Sequence, residues 1–395
     1  MTVASTPDIN APLAGGASRP VYLDYNATAP VDPRVAEEVL RFLTEEFGNA
    51  GSRTHGYGQV AKHRVIRARE EVAAAVAAKP DEVIFTSGAT ESDNLAILGL
   101  AAHGEAVGRR HIISTQIEHK AVLEPLEVLS ERGFEVELIA PEPGGWVSPE
   151  AVASALRPDT LLVSVMAVNN ETGVIQPIEK IAQALEGHEA FFHVDAAQAF
   201  GKLVAPLQHP RVDLIAVSGH KIGAPKGIGA LVTRRRGYRR PPLEPLMRGG
   251  GQERGLRPGT LPVALIAGLG TATSLALEEA GDRMAAAERI KVEVLAALAP
   301  LGVEVNGDPD RTVATTVNVS IPGVDSEAAI VALKDVAAIS NGSACTSQSY
   351  EPSHVLVAAG LSEDRIAGAL RLSWGAASTV PADLIAERLR SLMHK

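Results

Sequence analysis

Three residue types stand out for the chemistry their positions allow: a lysine, an acid and a single thiol. Asp213-Leu-Ile-Ala-Val-Ser-Gly-His-Lys221 is an apolar run that turns small and polar just ahead of a lysine. A buried strand over Leu214-Ile-Ala-Val217 would aim its C-terminal end at a crevice, where open α/β sheets bind ligands. Low-dielectric walls make a lysine give up its charge more readily, so Lys221 would be a usable amine nucleophile. A lysine after a strand is, taken alone, most often a surface residue. Phe191-Phe-His-Val-Asp195 changes that balance, because a second strand then delivers a carboxylate at its own C-terminal end. An amine for a Schiff base and an acid for a pyridinium nitrogen are the two protein groups that pyridoxal 5'-phosphate (PLP) chemistry requires.

Other residues fit round that pair. Thr86-Ser-Gly-Ala-Thr-Glu-Ser-Asp93 reads as a strand, a glycine turn and a helix start with Thr90 as N-cap, and free amides there form an anion site. A plain capped helix is the bland alternative. Ser218 and His220, beside the lysine, could add phosphate donors. His119 follows a strand end and could stack on a flat cofactor or shuttle protons, although lone histidines are more often structural. Asn169-Asn-Glu171 also follows a strand, and Gln198 could donate to a ring oxygen. Cys345, the only cysteine, sits in Ser340-Asn-Gly-Ser-Ala-Cys-Thr-Ser-Gln-Ser349. Most unpaired cysteines are buried fillers, but this stretch has almost nothing apolar to bury one against, so it reads as a reagent on a mobile loop. Arg371 alternates with apolar neighbours in Leu370-Arg-Leu-Ser-Trp374 and could clamp a substrate carboxylate; the alternative is a structural ion pair.

The elements that must position these groups follow from hydrophobic runs and their spacing. Apolar segments at 83–86, 111–114, 161–165, 191–195 and 214–218 alternate with helical spacing over 91–103, 121–132, 149–156 and 178–185. Such alternation predicts a mainly parallel sheet with right-handed crossovers. The 228–233 segment follows Lys221 too closely for a helical crossover and is expected to be antiparallel. After Thr260 come two long helices over 263–279 and 282–298, short strands at 303–305 and 316–320, and two closing helices. The fold expected is α/β: a large domain over 31–280, and a smaller α+β domain made of 21–30 and 281–395. Residues 1–20 read as a mobile extension without signal-peptide character.

Composition narrows the class. At 395 residues, 46% hydrophobic and 21% charged, the chain has the profile of a soluble globular protein. A net charge of −10 argues against non-specific nucleic-acid binding by the whole surface. One cysteine excludes an intrachain disulfide framework and fits a reducing cytoplasm, and no apolar run approaches the ~18 residues of a membrane span. Arg234-Arg-Arg-Gly-Tyr-Arg-Arg240 is the one dense basic run; most such runs are solvated loops, and the sharper alternative is docking of an acidic partner.

Taken in order, the motifs resemble the cysteine desulfurases, PLP enzymes of the class V aminotransferase group. The resemblance runs from about Val21 to the C-terminus. It includes Tyr22-Leu-Asp-Tyr-Asn-Ala-Thr28, Thr86-Ser-Gly-Ala-Thr-Glu-Ser-Asp-Asn94, Glu118-His-Lys120, Val168-Asn-Asn-Glu171 and His193-Val-Asp195. It continues through Ser218-Gly-His-Lys221, Gly249-Gly-Gly-Gln-Glu-Arg254, Gly259-Thr260 and Gly342-Ser-Ala-Cys-Thr346. The long cysteine loop, reaching Glu351-Pro-Ser353, is similar to the NifS/IscS-like branch.

That resemblance implies a PLP-dependent transferase of fold type I with a seven-stranded main sheet, acting as a cytoplasmic homodimer with its site at the subunit interface. Lys221 would carry PLP, Asp195 would pair with the pyridine nitrogen, His119 would stack on the ring and Gln198 would bond its hydroxyl. Ala89, Thr90, Ser218 and His220 would hold the phosphate, with Thr260 entering from the other subunit. Asn170 and Arg371 would hold the carboxylate of L-cysteine. The freed Lys221 amine would take the α-proton, and Cys345 would attack the substrate sulfur, leaving alanine and a persulfide for a protein acceptor. No resident metal is implied, though Cys345 could transiently ligate a cluster.

Departures are Lys221-Ile-Gly-Ala-Pro-Lys226, where a bulkier residue is usual, and Arg257-Pro-Gly259 in place of Arg-Ser-Gly. The absence of a longer tail after Lys395, and the likeness of Phe47-Gly-Asn-Ala-Gly-Ser-Arg-Thr-His55 to the desulfurases of DNA phosphorothioation (DndA-like), turn the expectation from iron–sulfur assembly alone. The competing readings are an aminotransferase or selenocysteine lyase on the same scaffold, and a catalytically inert sulfur carrier or scaffold subunit.

Overall fold

The computed structural model describes residues 19–341 and 352–393. Cys345 and most of the 1–20 extension lie outside the described residues.

Seven strands form the central sheet: β2 (Val83–Thr86), β3 (His111–Thr115), β4 (Glu135–Ile139), β5 (Thr160–Met166), β6 (Phe191–Asp195), β7 (Leu214–Ser218) and β8 (Gly229–Thr233). Preceding them, β1 (Val21–Tyr22) belongs to a different pair. The order across the main sheet is β2-β8-β7-β6-β5-β3-β4. Strands β3 to β7 pair in parallel, and β8 runs antiparallel to both β7 and β2. The six strands β2 to β7 therefore end at the same edge. Apart from edge strand β4, their residues are buried almost throughout because helices cover both faces, which is why they read as unbroken apolar runs.

Helices α1 (Pro33–Thr44) and α2 (Gly56–Ala75) come before β2; α3 (Ala89–Leu98), α4 (Ala101–Val107), α5 (Lys120–Glu131), α6 (Pro149–Ala155) and α7 (Ile178–Ala184) connect the strands. Next come α8 (Val263–Glu278) and α9 (Ala280–Leu298). Beyond them, β9 (Glu304–Val305), β10 (Thr316–Ser320) and β12 (Ala369–Ser373) make a three-stranded antiparallel sheet in the order β12-β10-β9. Strand β1 pairs in parallel with β11 (Ala337–Ala338), and Asp24 bridges to Ser373. The N-terminal segment is thus stitched to the C-terminal region. The hydrophobic cluster round β10, β12 and α9 is separate from the clusters that cover the main sheet. Among the described residues no single helix is long and apolar enough to cross a membrane.

The structure departs from the sequence reading in four places. The helix expected over 91–103 breaks at Gly99–Leu100 into α3 and α4; a Cβ at Gly99 would sit 2.2 Å from the Leu95 carbonyl oxygen, so the chain passes very close there. Strand β4 was not expected, because Glu135 and Glu137 on a largely exposed edge mask its pattern. The N-cap of α3 is Gly88 rather than Thr90, which lies inside the first turn. Among the described residues the closing helices are four short ones, at Ser326–Leu333, His354–Ala358, Glu363–Ala367 and Ala382–Arg390.

The basic run is largely a structural staple. Arg234 is buried and donates to the carbonyls of Val76, Leu207, His209 and Val212. Arg236 is bidentate on Asp213, and Asp81 pairs with both Arg235 and Arg240. Little of that charge is left for an acidic partner.

Candidate active site

Strand ends make the site. The chain crosses over so that β3 and β5 are neighbours while their following strands lie on opposite sides, the arrangement that opens a crevice at the carboxyl edge. A cavity of about 550 Å³ sits there. Lys221 follows β7, Asp195 ends β6, Asn170 follows β5, His119 follows β3 and the Gly88 turn follows β2; all five line this cavity. Ala89, Thr90, Gln198, Ser218, His220 and Arg371 line it too. Thr260 does not; it is exposed.

The Lys221 amine donates to two backbone carbonyls, that of Asn26 and, at 2.9 Å, that of Ala27. Gln198 Nε2 donates to the same Asn26 carbonyl at 3.0 Å. Asp195 Oδ1 accepts from the Ala197 amide at 2.8 Å. Burial pushes this carboxyl above its ordinary range, opposed by that amide and by the nearby His119 and Lys221. A cationic ring nitrogen is what such a buried acid lacks. Burial lowers His119, and its Nδ1 accepts from the Ala121 amide at 3.1 Å, which leaves the proton of the neutral ring on Nε2.

The anion cradle is built by close approach. A Cβ at Gly229 would lie 2.3 Å from the Val217 carbonyl oxygen and 2.6 Å from the Gly88 Cα, so only glycine lets the turn rest on β8. On the open side, an added Cβ at Gly88 would meet nothing within 4 Å. The first amides of α3 have no partner inside the helix, and the positive end of the helix faces the same space. His220 Nδ1 lies 3.1 Å from Thr28 Oγ1. Burial, helped by the cations of Lys221, Lys226 and Lys202, pushes the His220 ring down to about 4, so it is neutral at pH 7.

Arg371 is 4% exposed. One guanidinium nitrogen bonds the Asp24 carboxylate at 2.6 Å and another the Asn170 carbonyl at 3.0 Å. The structural ion pair is therefore present, and the same arginine also lines the cavity. Its Nε, and Asn170 Oδ1 close by, are buried without a hydrogen-bond partner among the described residues. Open amides at one end, a buried acid and amine at the centre, and unsatisfied polar atoms at the other suit a flat, phosphorylated cofactor carrying an amino acid.

Several participants were missed. Asn26 reached the sequence reading only within a quoted motif. Asp93 and Glu118 are fully buried and sit near Asp195; burial raises Asp93 well above the carboxylate range and Glu118 to about 8. Asp93 faces His193, whose Nε2 is 3.3 Å away, without the alignment of a hydrogen bond. Lys202, pushed to about 8 by burial, reaches Gln198 Oε1 at 3.5 Å. One helical turn from Ala89 would have pointed to Asp93; nothing local marks the others.

Fold and site define an enzyme of the PLP-dependent fold type I, and the chain belongs to the aminotransferase class-V family, which residues 21–381 match. Within that family it is a PLP-dependent cysteine desulfurase. It is 48% identical to cysteine desulfurase IscS of Methylococcus capsulatus over 361 residues, 91% of this chain and 89% of that one. The crystal structure of DndA from Streptomyces lividans is 55% identical, with a TM-score of 0.79 over 90% of this chain and 99% of that one. A structure of SspA in complex with cysteine is 37% identical, with a TM-score of 0.80 over 91% and 100% of the two chains.

Proposed function

We propose that Lys221, Asp195 and His119 hold and operate PLP in this cavity, and that Cys345 receives the sulfur. The observation that carries this reading is the convergence of amine, acid and imidazole from the ends of β7, β6 and β3 on one cavity. Ala89, Thr90, Ser218 and His220 would hold the phosphate and Gln198 the ring hydroxyl. Once bound, PLP supplies an electron sink for charge developing on the substrate α-carbon. The chain's own part is binding and proton transfer. Asn170 and Arg371 orient the substrate carboxylate. The Lys221 amine, held by the Asn26 and Ala27 carbonyls when free, takes and returns the α-proton. Cys345 thiolate attacks the substrate sulfur; the S–S bond forms as the C–S bond breaks, the electron pair passes to carbon, and protonation there gives alanine. Replacing Cys345 by alanine is expected to abolish sulfide release while the cofactor absorbance stays intact. Unchanged turnover in Cys345→Ala would remove the thiol from the mechanism and favour a lyase or aminotransferase reading.

The same reading makes the enzyme a cytoplasmic homodimer. Leu40, Leu43, Phe47 and Tyr57 are more than half exposed, and Phe47 stacks on Tyr57 with centroids 5.4 Å apart. An apolar face of this kind marks an interaction surface, and Thr260, which does not line its own cavity, would enter the partner's. Phe47→Asp is expected to sediment as a monomer with lowered activity; an unaltered dimer would place the interface elsewhere. The sulfur acceptor, on this reading, belongs to DNA phosphorothioation or to iron–sulfur and thio-cofactor synthesis, the former favoured by likeness to DndA.

A further inference from the structure

The segment Tyr22–Thr28 contacts five residues of the cavity wall, Asn170, Gln198, His220, Lys221 and Arg371. Thr28 reaches His220, the Asn26 carbonyl holds Lys221 and Gln198, and Asn26 Nδ2 donates to the Asn170 carbonyl at 3.1 Å. Asp24 holds the Arg371 guanidinium. The segment is fixed from behind as well. Tyr22 Oη donates to the carbonyls of Asp24 and Thr28, the Asn26 amide donates to Ser373 Oγ, and Asp24 bridges to Ser373.

Asp24 does not line the cavity; Arg371 does. A carboxylate therefore grips the guanidinium from outside the cavity while leaving Nε, buried and without a partner among the described residues, for something else. A buried arginine without a counter-charge would bind any carboxylate avidly, and the desulfurase product, alanine, carries the same carboxylate as the substrate. Pairing with Asp24 reduces the net charge of the clamp to zero before a ligand arrives. We propose that Asp24 is a positioning residue that sets the affinity of Arg371 for the substrate carboxylate, a built-in competitor that weakens binding so that product can leave. This rests on the reading of Arg371 as the carboxylate clamp.

The test is made on the holoenzyme with propionate, which has the carboxylate but no amine to engage the cofactor. Affinity is read from the propionate dependence of Tm and, separately, from competitive inhibition against L-cysteine. Asp24→Asn is expected to tighten propionate binding by roughly three- to tenfold and to lower KM comparably, with kcat unchanged or reduced. Arg371→Gln, measured beside it, must weaken both. Should propionate binding in Asp24→Asn be unchanged or weaker while Arg371→Gln weakens it, Asp24 is a structural partner only and the proposal fails. If Arg371→Gln leaves propionate binding untouched, the clamp reading itself is wrong. Asp24→Glu keeps the charge on a longer stem; it must not tighten propionate binding, and if it does so as strongly as Asp24→Asn, charge competition is overturned.

Discussion

Glu118 is fully buried, and its Oε1 accepts from Thr115 Oγ1 at 2.8 Å and the Met166 amide at 2.9 Å, while Oε2 has no partner among the described residues. Burial raises this carboxyl to about 8, so the folded chain keeps a proton that the unfolded chain has released by then. Between about 4.5 and about 8 the folded state binds the extra proton, and stability falls as pH rises, by roughly 1.4 kcal/mol per unit. Glu118→Gln keeps the accepting oxygen and removes the titration. It is therefore expected to match the wild type near pH 4.5 and to be the more stable at pH 8, by thermal melts at both values. Equal stability at both would mean that Glu118 is charged in the fold. Lys221, Asp195 and His119 were legible because each stands just past or at the end of an apolar run. Glu118 and Asn26 were not, since their roles depend on a carbonyl or a burial that only the assembled sheet creates.

At the scale of elements, the turn between β2 and α3 depends on a residue far along the chain. Gly229, on β8, must lack a side chain for Gly88 to pack against it. Gly229→Ala is expected to displace the turn and weaken PLP affinity at least tenfold, measured by equilibrium titration of the apoenzyme, and to cost a few kcal/mol of stability. Retained PLP affinity would move the phosphate off this turn. The strand–helix alternation was readable because buried parallel strands are continuously apolar. Strand β4 was hidden by its edge position, and the break between α3 and α4 by a close backbone approach. The charge of Arg234, Arg235 and Arg236 misled for a different reason: their partners, among them Asp81 and Asp213, come from distant turns that the local sequence does not announce.

Across the whole molecule, the crossing between β3 and β5 decides where the chemistry sits, and that order cannot be read from the chain because it depends on which strands pair. The expectation of a mainly parallel main sheet agrees with what forms, including the antiparallel β8. Its consequence is that residues about a hundred positions apart, His119 and Lys221, face one cavity. Two further lysines, Lys202 and Lys226, lie near enough to lower the His220 ring, so the identity of the cofactor-bearing amine is a sharp question. Borohydride reduction of the holoenzyme, followed by peptide mass spectrometry, answers it. The PLP label is expected on Lys221 alone; a label on Lys202 or Lys226, with Lys221 unmodified, would contradict the site described above.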